Sequence, residues 1–238
     1  MKRMKNRILW GVTILPLVVV LSVMKFLPDD LPTHYDINGN IDTWGSKYNK
    51  LIFPIIIIAL TLVWKLLIRY FEKKSINALG EKERIEAAGN VKVLYIVVIC
   101  ETIIFNIMCY TFLISACLEV RNSSNTMNID INTVMNVVYG FLFIICGNFL
   151  PKCKRNGVVG LRTPWSIKND AAWAKSQRWG GIILVVSGLL IWLVNALIGG
   201  LTATIIMVGL LLLFAILAFP LSYVAWKRSD SEADLNKM

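Results

Sequence analysis

The sequence predicts an all-α integral membrane protein: a bundle of about six transmembrane helices with both termini in the cytoplasm, one outer loop and one cytoplasmic amphipathic segment. Three observations carry this prediction. Of 238 residues, 56% are hydrophobic and 17% charged, at a mean hydropathy of +0.63. That is too apolar for the surface of a soluble domain of this size. Six apolar runs have roughly the length needed to cross a bilayer, and lysine and arginine alternate between the segments that join them.

The runs are Ile8–Leu27, Leu51–Ile68, Val93–Leu118, Val134–Leu150, Gly181–Ile198 and Thr202–Ala225. The first follows a basic start like that of a signal peptide, but Lys25-Phe-Leu-Pro-Asp-Asp stands where a small-residue cleavage site would be, so it reads as a retained helix. Gly199-Gly200 between the last two runs predicts a tight antiparallel pair. The N-terminal tail carries four Lys/Arg, Arg69–Lys92 six, Pro151–Gly180 seven and the C-terminal tail three of the 25 in the chain. This alternation places both termini inside. It divides the chain into a two-span region 1–68 with its outer loop 28–50, a region 69–133 around the third span, a region 134–226 with the last three spans, and a polar tail 227–238, expected to fray.

The net charge of +10 raises the question of nucleic acid, but the basic residues flank apolar runs and form no separate domain. Direct nucleic-acid binding is therefore not expected; membrane lipid is the partner that the spans require. The five cysteines show no metal spacing and read as small buried hydrophobes. His34 is the single histidine, which excludes a multi-histidine metal site within one chain. No phosphate loop, nucleophile elbow or paired carboxylates stand out, so neither an enzyme nor a cofactor is implied.

Glu101 lies about 12 Å inside the third run at 1.5 Å per residue. A carboxylate at that depth must face protein, be paired or be protonated. It reads equally as a proton or ion relay and as a helix-packing group bonded to Asn106, Asn148 or a neighbouring span. The relay reading makes a small proton-coupled transporter the alternative function. Lys25 and Lys65, near span ends, read as snorkelling anchors.

In the outer loop, Pro28 and Pro32 stiffen the entry, and Asn38-Gly39 signals a tight turn between residues able to pair as a hairpin. His34, Tyr35 and Trp44 are amphipathic groups suited to a peptide or to headgroups. The inner segment runs from Gly157-Val158-Val159-Gly160 to Gly180-Gly181. Asn169 is a plausible N-cap, with Asp170 in the first turn of a helix reaching Trp179. Trp165, Trp173 and Trp179, with Lys168, Lys175 and Arg178, suit a helix at the headgroup boundary, with Gly180-Gly181 as a bend into the fifth span. Arg162 suits a phosphate, a carboxylate or the carbonyls of its own turn.

Gly160-Leu161-Arg162-Thr163-Pro164-Trp165, followed by Trp173, Arg178 and Gly180-Gly181, closely resembles the signature of the SdpI family, bacterial multi-pass membrane proteins named for immunity to the sporulation-delaying (cannibalism) toxin. Leu31-Pro32-Thr33-His34-Tyr35, Gly39 and Lys47 resemble a domain of unknown function that often precedes that signature. Asp170 stands where glutamate is common in the family, and Gln177 where histidine is frequent. The resemblance implies protection against an extracellular membrane-active peptide toxin, with His34, Tyr35, Asn38, Gly39 and Trp44 as toxin-binding candidates. It also implies a receptor that, once engaged, holds a cytoplasmic repressor at the membrane. The candidates for that contact are Gly160, Arg162, Thr163, Pro164, Trp165, Asp170, Trp173 and Arg178.

Overall fold

The structure, a computed structural model, describes residues 2–36, 38–153, 155 and 160–235. Gly157, Val158 and Val159 of the inner segment lie outside the described residues. The elements run α1 (Lys2–Val23), β1 (Asp30–Tyr35), β2 (Ile41–Ser46), α2 (Ile52–Asn77), α3 (Glu81–Asn122), α4 (Ile131–Phe149), α5 (Asp170–Leu197) and α6 (Gly200–Leu235). Among the described residues, six helices are long and apolar enough to cross a membrane. The chain is an all-α multi-pass membrane protein carrying one small β-hairpin.

Each helix covers most of one expected span, α1 stopping at Val23, four residues short of Leu27, and several extend well past it. The basic stretch before the third run is helical, so α2 and α3 are separated only by residues 78–80. Glu81 and Glu83 in the first turn of α3 complement the helix dipole and support this early start. At 42 residues, α3 is about 63 Å long. The polar residues expected to fray after Trp226 instead continue α6 to Leu235, and Ser229 there is buried.

The fold consists of two compact units, Met1–Tyr70 with Leu94–Val134 and Phe71–Val93 with Met135–Met238. In the first unit, Thr13 of α1 and Thr61 of α2 share a hydrogen bond of 3.1 Å, and both are buried. The Lys65 ammonium bonds Asn6 at 2.5 Å and the Tyr95 hydroxyl at 3.3 Å, tying α2 to α1 and α3. Val20, Met24, Leu27 and Leu31 pack with Cys109, Leu113 and Ala116 of α3, so the root of β1 is part of the apolar core.

In the second unit, α5 begins on the expected cap, the Asn169 side chain accepting from the Ala172 amide at 2.7 Å. α5 runs unbroken through Gly180-Gly181, from Asp170 to Leu197, so the inner helix and the fifth span are one element. These glycines permit a close helix approach. A Cβ at Gly181 would stand 2.5 Å from the Gly147 carbonyl, and one at Gly147 would stand 2.6 Å from the Gly181 carbonyl. Small residues at such crossings let backbones meet where apolar lipid offers no hydrophobic drive. The α5–α6 connection is the predicted tight one, with Gly199 and Gly200 at φ of 68° and 59°.

Leucine at Gly181 or Gly147 should therefore lower the midpoint of thermal unfolding in detergent, each at a cost of about 1–3 kcal/mol. Leucine at Gly209, where an added Cβ meets nothing within 4 Å, should not lower it. An unchanged midpoint for Gly181→Leu would mean that the α4–α5 contact yields without cost.

Candidate functional site

The predicted hairpin forms around Asn38-Gly39, β1 pairing antiparallel with β2 from Asp30↔Ser46 to Tyr35↔Ile41. Its turn is held by Asp36, whose carboxylate accepts from the amides of Asn38 and Asn40, each at 2.8 Å, and from the Asn40 side chain at 2.8 Å. These bonds hold the Asp36 carboxyl below its ordinary range. Gly39 takes φ of 82°, the left-handed conformation that such turns require.

The turn is docked on the α3–α4 loop. The Ile41 amide donates to the Asn125 carbonyl at 2.9 Å, the Met127 amide donates to the Gly39 carbonyl at 2.7 Å, and Asn40 bridges to Thr126. Asn38 and Gly39 thus build the turn and its docking. His34 and Trp44 remain outward-facing, with half of Trp44 exposed. The His34 ring bonds the Asp42 carboxylate across the hairpin at 2.7 Å.

Tyr35 turns inward. Its ring stacks on Phe112, 6.4 Å between centroids, and its hydroxyl donates to Glu119 at 2.7 Å. Burial first, then the bond to Glu119 and its charge, push the phenol far above its ordinary range, so it stays a neutral donor at physiological pH. Glu119 is fully buried and also accepts from the Ser115 hydroxyl at 2.6 Å and the Asn128 amide at 3.1 Å. The Ser115 hydroxyl in turn accepts from the Ile129 amide at 3.3 Å. Glu119 therefore links the hairpin, α3 and the α3–α4 loop.

Sequence reasoning missed Glu119, because the end of the third span was set one residue before it. The available signal was Ser115 four residues earlier, on the same helix face. The apolar run itself points to Glu101 instead. Glu101 lines a gap with Ile57, Thr61, Trp64 and Phe105 that is too narrow for a water molecule. The bond proposed from Glu101 to Asn106 is not made. Asn106 donates to the carbonyls of Val12 at 3.2 Å and Thr102 at 2.7 Å and accepts from the Tyr110 hydroxyl. Asn148 is exposed and donates to Ile144 of its own helix at 2.8 Å.

The Gly160–Trp165 segment belongs to the second unit and folds onto α5 and α6. Gln177, fully buried, accepts from the Leu161 amide at 2.8 Å and donates to the Leu161 carbonyl at 3.0 Å. Gly160 has φ of 125°, and a Cβ there would meet the Trp173 ring at 2.8 Å. Thr163 and Ser166 cap each other, the Thr163 amide donating to the Ser166 hydroxyl at 2.9 Å and the Ser166 amide to the Thr163 hydroxyl at 3.1 Å. The Thr163 hydroxyl also donates to Ser222 of α6 at 2.6 Å. Trp165 packs edge-on against Phe219 and Tyr223.

Trp173 is 2% exposed, its indole donating to the Cys153 carbonyl at 2.7 Å. It therefore does not rest on headgroups as the amphipathic reading expected: an indole offered a backbone carbonyl is satisfied inside the protein. Arg162, Pro164, Asp170 and Arg178 are exposed. Asp170 pairs with Arg155 at 3.3 Å.

Residues 152–224 match the SdpI/YfhL protein family, and residues 11–58 match a domain of unknown function, DUF1648. The chain carries an SdpI-family region joined to a DUF1648 region. It is 25% identical over 224 residues to the Immunity protein SdpI of Bacillus subtilis (strain 168), a match spanning 94% of this chain and 97% of that protein. No solved structure matches the chain.

Two expectations follow from this geometry. Tyr35→Phe keeps the ring stack but removes a donor from Glu119, which should cost about 1–3 kcal/mol. In a double-mutant cycle with Glu119→Gln, the two losses should fall short of additive; strictly additive losses would break the pairing. The Asp36 carboxyl is held low in the folded hairpin, so its contribution to the turn is complete above the ordinary carboxylate range and is lost as pH falls through the lowered value. Amide shifts of Asn38 and Asn40 should report that loss on acidification, and Asp36→Asn should abolish the pH dependence.

Proposed function

We propose that this chain is a membrane immunity protein that protects a bacterial cell from a secreted, membrane-active peptide toxin. Its near end-to-end similarity to the Immunity protein SdpI carries the reading. The Lys/Arg alternation supports a plasma-membrane orientation with both termini in the cytoplasm and the hairpin outside, where a secreted peptide arrives. The outward His34 and Trp44 then form the first contact surface, on a hairpin braced from beneath by Glu119.

In this orientation the Gly160–Trp165 turn faces the cytoplasm. Its exposed Arg162 and Pro164, with the exposed Asp170 and Arg178 of α5, suit a cytoplasmic partner such as a transcriptional repressor, while Thr163, Trp165 and Trp173 serve the fold. Signalling would require two states of the protein with different affinities for the toxin and for that partner. The similarity to the Immunity protein SdpI favours this reading over a transport role through Glu101.

The test is membrane potential in sensitive cells challenged with the sporulation-delaying toxin. Cells expressing this protein should keep their potential while control cells lose it. His34→Ala with Trp44→Ala should make expressing cells about tenfold more sensitive, the equivalent of about 1.4 kcal/mol in binding, with the protein still in the membrane. Collapse of the potential in cells with confirmed wild-type protein would reject immunity to this toxin.

A further inference from the structure

A cavity of about 330 Å³ lies beside the hairpin in the first unit. The rings of Tyr35, Phe53 and Phe112 wall it, and Thr33, Asn49 and Lys50 contribute polar groups to its lining. The rings stack in series, with Phe112 6.4 Å from Tyr35 and 5.5 Å from Phe53. Such walls favour flat or branched apolar groups, which meet ring faces and edges in offset contact. An apolar cavity of about 150 Å³ takes one benzene, so this one has room for about two side chains of that size.

The polar lining narrows the choice of occupant. A fatty acid can place its one carboxylate on Lys50, but its methylene chain offers Thr33 and Asn49 no partner. A peptide brings backbone carbonyls and amides alongside each apolar side chain. The Lys50 ammonium has three donors, one of them spent on the Pro32 carbonyl at 2.7 Å.

We propose that this cavity is a receptor for two neighbouring apolar side chains of a peptide, at least one of them aromatic, with Lys50 and Asn49 bonding the backbone between them. The proposal rests on the immunity reading only for the identity of that peptide.

The test uses the full chain in lipid nanodiscs and ligand-observed NMR, with N-acetyl-phenylalanyl-leucine amide, N-acetyl-glycyl-glycine amide and oleate as probes. The aromatic dipeptide should bind the wild type and the glycine dipeptide should not. Two variants fill the cavity, Leu113→Trp and Ile52→Trp; Leu113 is buried, whereas Ile52 is half exposed and tolerates the larger ring if Leu113→Trp fails to fold. Each folded variant should weaken dipeptide binding at least about tenfold and reduce toxin binding in parallel. Unchanged dipeptide affinity in the filled variants overturns the proposal. So does oleate binding that displaces the dipeptide and is itself lost on filling, which would make this a lipid site. Cavity-dependent dipeptide binding without toxin protection would uphold the cavity and reject immunity; protection retained with unchanged binding in filled variants would reject the cavity alone.

Discussion

A carboxylate that water cannot reach has to be surrounded by donors, and Glu119 collects three from three parts of the chain. That requirement organises the hairpin end of the first unit. Tyr35 must turn inward to supply one donor, while His34, the residue before it in β1, stays exposed. The Asn128 amide must come within reach, which brings the α3–α4 loop alongside the turn. The bonds from Ile41 and Met127 then extend the contact from one side chain to a short stretch of backbone. A hairpin of two strands is marginal by itself; here a buried acid and an apolar root at Leu31 hold it in place.

The second unit meets the same demand with an uncharged group. Gln177 offers one donor and one acceptor, and both are spent on the backbone of Leu161. Histidine, frequent at this place in the SdpI family, cannot offer both from one ring edge as an amide does. In this chain the position therefore fastens the Gly160–Trp165 turn to α5, and the reciprocal Thr163–Ser166 bonds and the Thr163–Ser222 bond fasten it to α6. The most distinctive stretch of the sequence is largely architecture. Of the residues proposed for a partner, the fold leaves Arg162, Pro164, Asp170 and Arg178 exposed.

The two tryptophans that had looked alike, Trp44 and Trp173, differ because of what lies near them. Trp44 pairs with Pro32, whose ring offers the indole no carbonyl or carboxylate side chain to bond, and half of its surface stays exposed. Trp173 finds the Cys153 carbonyl within hydrogen-bond reach and is buried. Composition assigns both residues to an interface; only the presence or absence of a partner separates a contact group from a core group.

The sequence by itself determined the number and order of the spans, the Asn38-Gly39 hairpin, the Asn169 cap and the Gly199-Gly200 turn. Each of these depends on a local property: an apolar run, a residue able to adopt positive φ, or a side chain that bonds an amide three residues on. It also contained the family motif, because short-range spacing is what a motif is. Tertiary structure alone decided which polar groups matter. Glu101 and Glu119 are both acids of one helix, and no local rule separates one beside a narrow gap from one gathering donors from residues 35, 115 and 128. Gly180-Gly181 reads locally as a bend and becomes a helix crossing only when Gly147 is opposite. Long-range partners supply the missing information, since a buried polar group is defined by what reaches it and not by its neighbours in sequence.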